Sequence, residues 1–181
     1  KFPDNSGLLF AMINLFLKQG KLDEIVAPLQ QAIAREPNNI GLYTTLGNVY
    51  DKLLTRERES GNSEAETQYF GEAEKIYRQA LEKAPRDSDA LYSLGSLYYN
   101  KAALLSKVEQ TDDVVTEIMA LFDQALPYFQ KAESVNANDQ SALNALFGIY
   151  SSKQDGPMTA EFKRRLETVQ RGGKNASSYF K

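Results

Sequence analysis

Acidic side chains are the first candidates for chemistry in this sequence of 181 residues, and they occur as two adjacent pairs. Asp23 stands beside Glu24, and Asp112 beside Asp113. Paired carboxylates can share general acid and base roles or contribute ligands to a metal ion. Both pairs, however, stand at predicted helix starts, where the helix macrodipole stabilises negative charge. That local role explains both pairs without an active site.

The sequence contains no His and no Cys. This composition removes the commonest general base, the thiol nucleophile and the commonest metal ligands. The sequence also lacks a glycine-rich phosphate-binding loop. We therefore expect no catalytic residue, no metal and no cofactor, and we expect that the protein is not an enzyme.

Apolar residues follow a helical spacing between turns that recur along the chain. The turns read Pro3-Asp4-Asn5, Pro37-Asn38-Asn39, Pro85-Arg86-Asp87 and Ala137-Asn138-Asp139. The first interval is 34 residues, and the next two, of 48 and 52 residues, exceed it by 14 and 18. A period of 34 residues is the length of one helix–turn–helix repeat. The sequence therefore predicts successive helical hairpins.

The spacing within these hairpins resembles that of the tetratricopeptide repeat (TPR) family, over about residues 4–152. Each repeat is numbered so that its turn Pro is position 32. The first helix that follows Pro85 then has Leu91, Leu94, Gly95 and Tyr98 at positions 4, 7, 8 and 11. The family has a large apolar residue, Leu, a small residue and Tyr at these four positions. The preceding repeat matches with Tyr43, Leu46, Gly47, Tyr50, Ala73, Tyr77 and Ala80. The resemblance, to a bacterial-type TPR protein fragment, implies an all-α, right-handed α-solenoid of about four TPR-like hairpins.

The same register sets the expected domain organisation. Residues 1–171 form a single TPR-like solenoid with repeat units at about 6–39, 40–87, 88–139 and 140–171. The extra residues of the second and third units fall at the turn inside each hairpin, so we expect two hairpins with prolonged helices. Residues 172–181 lack periodicity and are expected to form a mobile tail. The tail contains Asn175-Ala176-Ser177, a weak match to a glycosylation acceptor.

In TPR proteins the first helices line a concave groove, so the resemblance also implies a peptide-binding surface. Its residues here would be Phe10, Asn14, Thr44, Asn48, Tyr92, Tyr99 and Asn144, with Asp51 at another groove position. Asn14 and Asn48 are equivalent, and amides that donate and accept can hold a peptide backbone without reading its sequence. Tyr92 and Tyr99 could add flat apolar contacts. Alternatively, these are ordinary solvated residues, or Tyr99 packs under the inserted helix.

One specific ligand class is excluded by the same comparison. TPR domains that clamp the acidic tails of heat-shock chaperones share a set of Lys, Asn and Arg residues. Only Asn14 matches this set, because Phe10 and Thr45 replace a Lys and an Asn, and Asp89 and Ser93 replace the final cations. An Asp at a site for a carboxylate would be repulsive.

Net charge and hydropathy bear on the partner and the compartment. A formal net charge of −3 leads us to expect no nucleic-acid partner, and no run of about 20 apolar residues encodes a membrane span. Since Lys1 is not Met and Pro3-Asp4-Asn5 resembles the closing turn of a repeat, we expect upstream residues, including any targeting segment. Cytoplasm and bacterial periplasm or cell envelope both remain open.

Two functions remain open at this point. The first is a non-catalytic scaffold or adaptor that binds an extended peptide or a partner helix in the concave groove. The second is a structural or oligomerisation subunit that associates with itself or a partner through its prolonged hairpins, with an idle groove.

Overall fold

The computed structural model describes residues 11, 13, 15, 16 and 18–181. Within these residues the chain forms helices and turns and no strand. The described residues from 11 to 19 are helical, and Gly20 ends that helix with a φ of 70°. Seven further helices follow: α1 (Asp23–Arg35), α2 (Ile40–Ser60), α3 (Ser63–Lys83), α4 (Ser88–Leu105), α5 (Asp112–Val135), α6 (Gln140–Ser152) and α7 (Gly156–Gln170). None of these described helices is both long enough and apolar enough to cross a membrane.

The chain divides into two compact units, Lys1–Ala84 and Pro85–Lys181. In the first unit α2 and α3 pack as a hairpin, and α1 packs on α2. In the second unit α4 pairs with α5 and α6 pairs with α7, while α6 also packs on both helices of the preceding hairpin. Each unit therefore has the helical-hairpin organisation that the sequence predicts.

Two hairpins have prolonged helices, as predicted. Helices α2 and α3 have 21 residues each, and α4 and α5 have 18 and 24. The last hairpin is shorter, with 13 residues in α6 and 15 in α7. The inserted residues thus lengthen the existing helices of a hairpin instead of forming a separate element.

A glycine lies against an aromatic ring inside each prolonged hairpin. A Cβ atom at Gly47 on α2 would overlap the ring of Tyr77 on α3. In the second unit, a Cβ atom at Gly95 on α4 would lie 3.0 Å from the ring of Phe129 on α5. Both rings are fully buried. A glycine inside a helix costs about 1 kcal/mol relative to alanine, so the close approach of the rings accounts for both glycines.

The tyrosines at repeat position 11 lie in the core, as predicted. Tyr50, Tyr98 and Tyr150 expose 5%, 1% and 6% of their surface. The hydroxyl groups of Tyr50 and Tyr150 accept hydrogen bonds from the side-chain amides of Gln30 and Gln130. These partners let the phenol groups be buried without leaving a polar atom unsatisfied.

Side-chain hydrogen bonds mark two helix ends inside the prolonged hairpins. Helix α3 is capped by Asn62, whose side chain accepts from the Ala65 N–H. Helix α4 ends at Leu105. The side-chain amide of Gln110 donates to the carbonyl groups of Leu105 and Val108.

The C-terminal residues 172–181 also differ from the expected mobile tail, because the structure packs them against the second unit. Asn175 exposes only 9% of its surface, and its side-chain amide donates to the carbonyl groups of Ala137 and Arg165. The Tyr179 and Phe180 N–H groups donate to the buried carboxylate of Glu133. Since the amide of Asn175 is engaged, its match to a glycosylation acceptor reflects a structural role.

The glycine contacts give a direct test of hairpin packing. Gly47→Ala should lower the free energy of unfolding by about 1–3 kcal/mol, because the new methyl group overlaps the buried Tyr77 ring. Gly71→Ala is the matched control, since a methyl group added to Gly71 on α3 would have no atom within 4 Å. It should be neutral or stabilising by up to about 1 kcal/mol. Urea denaturation followed by circular dichroism measures both; equal effects of the two substitutions would contradict the packing described.

Candidate functional site

The predicted groove residues fall in both units. Phe10 and Asn14 lie outside the described residues. Thr44 and Asn48 lie on α2 in the first unit, and Tyr92 and Tyr99 on α4 in the second. Asn144 lies on α6, also in the second unit. The two sets are described separately below.

In the first unit, Thr44, Asn48 and Asp51 are spaced by four and three residues and so share one face of α2. The Thr44 hydroxyl lies within hydrogen-bonding distance of two carbonyl groups of its own helix, at 3.2 Å from Gly41 O and 3.4 Å from Ile40 O. Asn48 is exposed, and Asp51 is half-buried. The face therefore offers amide and carboxyl groups, and Thr44 contributes mainly the methyl side of its chain.

The ring of Tyr77 passes beside Gly47 and brings its hydroxyl group to this face of α2. The hydroxyl oxygen lies 2.9 Å from Asn48 Oδ1 and 2.7 Å from Asp51 Oδ2. We call these three side chains the α2 polar cluster. A side chain from α3 thus fixes the orientation of two residues of α2, and the missing Cβ of Gly47 makes room for it.

One hydroxyl proton cannot serve both acceptors, so the α2 polar cluster has two arrangements. With Asp51 ionised, Tyr77 donates to the carboxylate, and a rotated Asn48 amide donates to the hydroxyl oxygen. With Asp51 protonated, the carboxyl donates to Tyr77, and Tyr77 donates to Asn48 Oδ1. The proton on Asp51 therefore determines which hydrogen-bonding group Asn48 presents outward.

Burial raises the pKa of Asp51 to about 6, and the hydrogen bond from Tyr77 opposes this rise. The ionised form pays a desolvation cost that a bound N–H donor or cation would offset. Near neutral pH the carboxylate is accordingly a partly desolvated acceptor. This combination of carboxylate, amide and phenol suits the binding of hydrogen-bonding groups.

In the second unit, Tyr92 and Tyr99 have different surroundings although both lie on α4. Tyr92 is 38% exposed and contacts the edge of Phe129, with ring centroids 5.8 Å apart. Tyr99 is half-buried, with its ring 5.6 Å from that of Phe122 and 6.2 Å from that of Phe129. Tyr99 therefore packs against α5.

The hydroxyl group of Tyr99 also reaches α6. A Cβ atom at Gly148 would lie 2.6 Å from this oxygen. Asn144, one turn earlier on α6, is exposed. In the second unit the accessible groups of the predicted set are consequently Tyr92 and Asn144, and Tyr99 mainly positions α4 against its neighbours.

The acidic pairs have structural surroundings. Asp23 lies in the first turn of α1 and forms a bidentate ion pair with Arg56, at 2.6 and 3.2 Å. The hydrogen bonds from Arg56 lower the pKa of Asp23. Asp112 and Asp113 lie in the first turn of α5. Among the described residues, no group of three or more acidic side chains could hold a metal ion.

The repeat register places Asp51 at a groove position but does not reveal its connection to Tyr77. The repeat position of Tyr77 predicts a core residue, and its ring is indeed fully buried. The spacing of residues does not show that the hydroxyl group emerges on the other side of Gly47. One feature of the sequence could have indicated this contact: a glycine on α2 occurs together with a tyrosine, and not a phenylalanine, on α3.

Comparisons with known proteins bear on the fold. A scan against models of protein families found no match, and a search of curated protein sequences found none either. Among solved structures, the chain is similar to a monomeric mutant of IFIT1 with Gppp-AAAA, at 15% identity and a TM-score of 0.51. That alignment covers 84% of this chain and 37% of the IFIT1 chain, so this chain spans less than half the length of that relative.

Two further structures align with lower scores. The human IFIT1 dimer with m7Gppp-AAAA aligns at 17% identity and a TM-score of 0.45, over 79% of this chain and 36% of that one. YrrB, a TPR protein with an unusual peptide-binding site, aligns at 16% identity and a TM-score of 0.40, over 92% of this chain and 87% of that one.

These findings, with the paired helices, support the predicted all-α, TPR-like helical-repeat solenoid. At such low identity the likeness concerns the fold alone. One expectation from net charge is not supported: the IFIT1 structure contains Gppp-AAAA, so a fold of this kind does not by itself exclude a nucleic-acid ligand.

The pKa of Asp51 gives a pH-dependent test. Because this pKa rises from 3.8 to about 6 on folding, the contribution of Asp51 to stability is full below pH 3.8 and is lost as pH rises through 6. Asp51→Asn should therefore be more stable than the parent at pH 7.5, by about 1–3 kcal/mol, and nearly equal to it at pH 4. Urea denaturation at several pH values measures the difference.

Glu82→Gln is the control for this test, since Glu82 is an exposed acidic residue of α3. The stability difference between the parent and Asp51→Asn should change with pH by more than the difference measured for this control. If the difference between the parent and Asp51→Asn were independent of pH, the raised pKa of Asp51 would be wrong.

Proposed function

We propose that this chain is a non-catalytic binding scaffold that holds an extended peptide segment against the faces of its first helices. The observation that carries the proposal is the α2 polar cluster. It presents an amide and a partly desolvated carboxyl group on one accessible face, fixed from behind by the Tyr77 hydroxyl.

The chemistry of this cluster matches a peptide backbone. Each residue of an extended peptide carries one N–H donor and one carbonyl acceptor. The Asp51 carboxylate can accept from an N–H group, and hydrogen bonds to an ionised acceptor are roughly twice as strong as neutral ones. Asn48 can donate to a carbonyl group or accept from an N–H group. Such contacts hold the backbone and leave the peptide sequence largely unread.

The second unit, taken by itself, offers contacts of another kind. Tyr92 presents a partly exposed ring that makes an edge-type contact with the buried ring of Phe129. A ring held in place offers apolar contact area at a low cost in conformational entropy. Asn144 on α6 is exposed and able to pair with peptide groups. A peptide on this unit would therefore be held mainly through its side chains.

A second candidate function is self-association through a prolonged hairpin, and one observation favours it. At the tip of the α4–α5 hairpin, Val108 and Val115 expose 53% and 40% of their surface. The tip of the α2–α3 hairpin differs, because Arg58 pairs there with Glu66 at 2.7 Å. Any association of this kind would therefore use the apolar tip in the second unit.

An affinity capture from a lysate of the source cells distinguishes the two functions. The baits are the parent chain, a face variant with Asn48→Ala, Tyr92→Ala and Asn144→Ala, and a tip variant with Val108→Ser and Val115→Ser. Tyr99 is left unchanged because it packs against Phe122 and Phe129. The proposal expects one partner that the parent and the tip variant capture and that the face variant loses at least about tenfold, the factor that corresponds to about 1.4 kcal/mol of binding free energy.

A matched control carries three substitutions of exposed residues on α3, Gln68→Ala, Lys75→Ala and Glu82→Ala. It should capture the partner as the parent does, and all baits should be equally helical by circular dichroism. A partner retained by the face variant and lost by the tip variant would overturn the proposal in favour of the second function.

A further inference from the structure

The C-terminal residues of the second unit are bound as a ligand would be, without helix or strand of their own. Asn175 anchors the segment: its N–H donates to Asn138 Oδ1 at 2.7 Å, and its amide donates to Ala137 O at 2.9 Å. Beyond this anchor, residues 177–181 run over α5 and α7. The anchor and the last residues are thus two separate sets of contacts.

A buried charge pair holds the backbone of these last residues. Glu133 on α5 is fully buried and accepts the Tyr179 N–H at 2.8 Å and the Phe180 N–H at 3.2 Å. Arg165 on α7, 5% exposed, donates to Glu133 at 2.6 Å and to the Ser177 carbonyl at 2.5 Å. All these contacts with the segment are to its main-chain atoms, so another segment with free N–H groups could make them.

An aromatic surface holds the side chains. The ring of Phe180 stacks on the fully buried Phe162, with centroids 5.6 Å apart and planes at 11°. The ring of Tyr179 meets Phe162 edge-on at 5.6 Å and remains 46% exposed. Two consecutive aromatic residues of the tail therefore pack on Phe162, and one of the two rings remains partly exposed to solvent.

The next residue of the tail, Lys181, adds a cation to a depression that already has two. Lys181 lines this surface depression together with Arg86 and Lys131, and the remaining lining residues are uncharged: Pro127, Gln130, Ser134 and Phe180. Three cationic side chains therefore line one depression that has no acidic side chain in its lining. An acidic side chain in the place of Lys181 would meet two cations instead.

We propose that Glu133, Arg165 and Phe162 form a second peptide-binding site, for a partner segment with two consecutive aromatic residues followed by an acidic residue. The chain's own residues 177–181 occupy this site as a built-in competitor, while Asn175 stays docked. The site lies wholly within the second unit and is independent of the α2 polar cluster. A partner must outcompete a tethered segment, whose effective concentration is in the millimolar range, so the tail sets a threshold for binding.

The test uses the full chain with Tyr179→Ser and Phe180→Ser, which keeps Asn175 and opens the site. Two fluorescent, C-terminally amidated peptides, Ala-Ser-Ser-Tyr-Phe-Glu and Ala-Ser-Ser-Tyr-Phe-Lys, are titrated by fluorescence anisotropy. The opened chain should bind both, and the glutamate peptide about 2- to 5-fold more tightly, as for an exposed ion pair. The intact chain should bind each peptide at least about tenfold more weakly, because its own tail competes.

Matched controls assign each part of the expected result. Arg86→Gln with Lys131→Gln in the opened chain should abolish the preference for glutamate and retain binding. Asn48→Ala in the opened chain should leave the affinity for both peptides unchanged. Failure of this inference can therefore be distinguished from failure of the proposed peptide scaffold, which depends on Asn48. A folded opened chain that binds neither peptide, or an intact chain that binds as tightly as the opened one, would overturn the inference.

A second measurement covers the case in which the opened chain does not fold. The intact, ¹⁵N-labelled chain is titrated with the glutamate peptide up to about 10 mM, above the effective concentration of a short tether. The amide signals of Tyr179 and Phe180 should move toward the positions of a free segment, while that of Asn175 stays. Unchanged Tyr179 and Phe180 signals throughout would overturn the inference.

Discussion

The close approach of an aromatic ring to a glycine is the contact on which each prolonged hairpin depends. Any Cβ at Gly47 would overlap the ring of Tyr77, and one at Gly95 would press on Phe129. A side chain at position 47 would therefore displace the Tyr77 ring, and one at position 95 would require the Phe129 ring to shift by a few tenths of an ångström. The rings in turn are fully buried and fill the space between the paired helices. Each glycine costs about 1 kcal/mol in helix propensity. Burial of an aromatic side chain contributes several kcal/mol, which outweighs this cost.

The same contact has different chemical consequences in the two units. In the first unit the ring belongs to tyrosine, and its hydroxyl group emerges between Asn48 and Asp51. In the second unit the equivalent ring is Phe129, which has no hydroxyl group and instead supports the rings of Tyr92 and Tyr99. The two faces thus differ in the hydroxyl group of this ring and also in the first-helix residues beside it, Asn48 and Asp51 on α2 against Ser96 and Tyr99 on α4. This difference is why we expect a peptide on the first unit to be held through its backbone and a peptide on the second unit through its side chains.

Much of the fold is predictable because it follows from local patterns. The 34-residue spacing and the turn residues predict the hairpins, and the 14 and 18 extra residues predict the prolonged helices. The site is less predictable. That Tyr77 reaches Asp51, and that burial raises the pKa of Asp51, depend on the distance between two helices and on local desolvation. The docked tail escapes prediction for a related reason: Glu133 and Arg165 hold its backbone, and backbone contacts leave no periodic signal in the sequence.

The central claim is that the face of α2 around Asn48 binds an extended peptide. The most direct measurement is a selection of short unstructured peptides on the intact chain, followed by nuclear magnetic resonance of the selected peptide with the ¹⁵N-labelled chain. Our account predicts that the side-chain amide signals of Asn48 shift on binding, and that Asn48→Ala lowers the affinity at least about tenfold, as expected for loss of a charge-linked hydrogen-bond network. Peptides that leave the Asn48 signals unchanged and bind Asn48→Ala as tightly as the parent would contradict it.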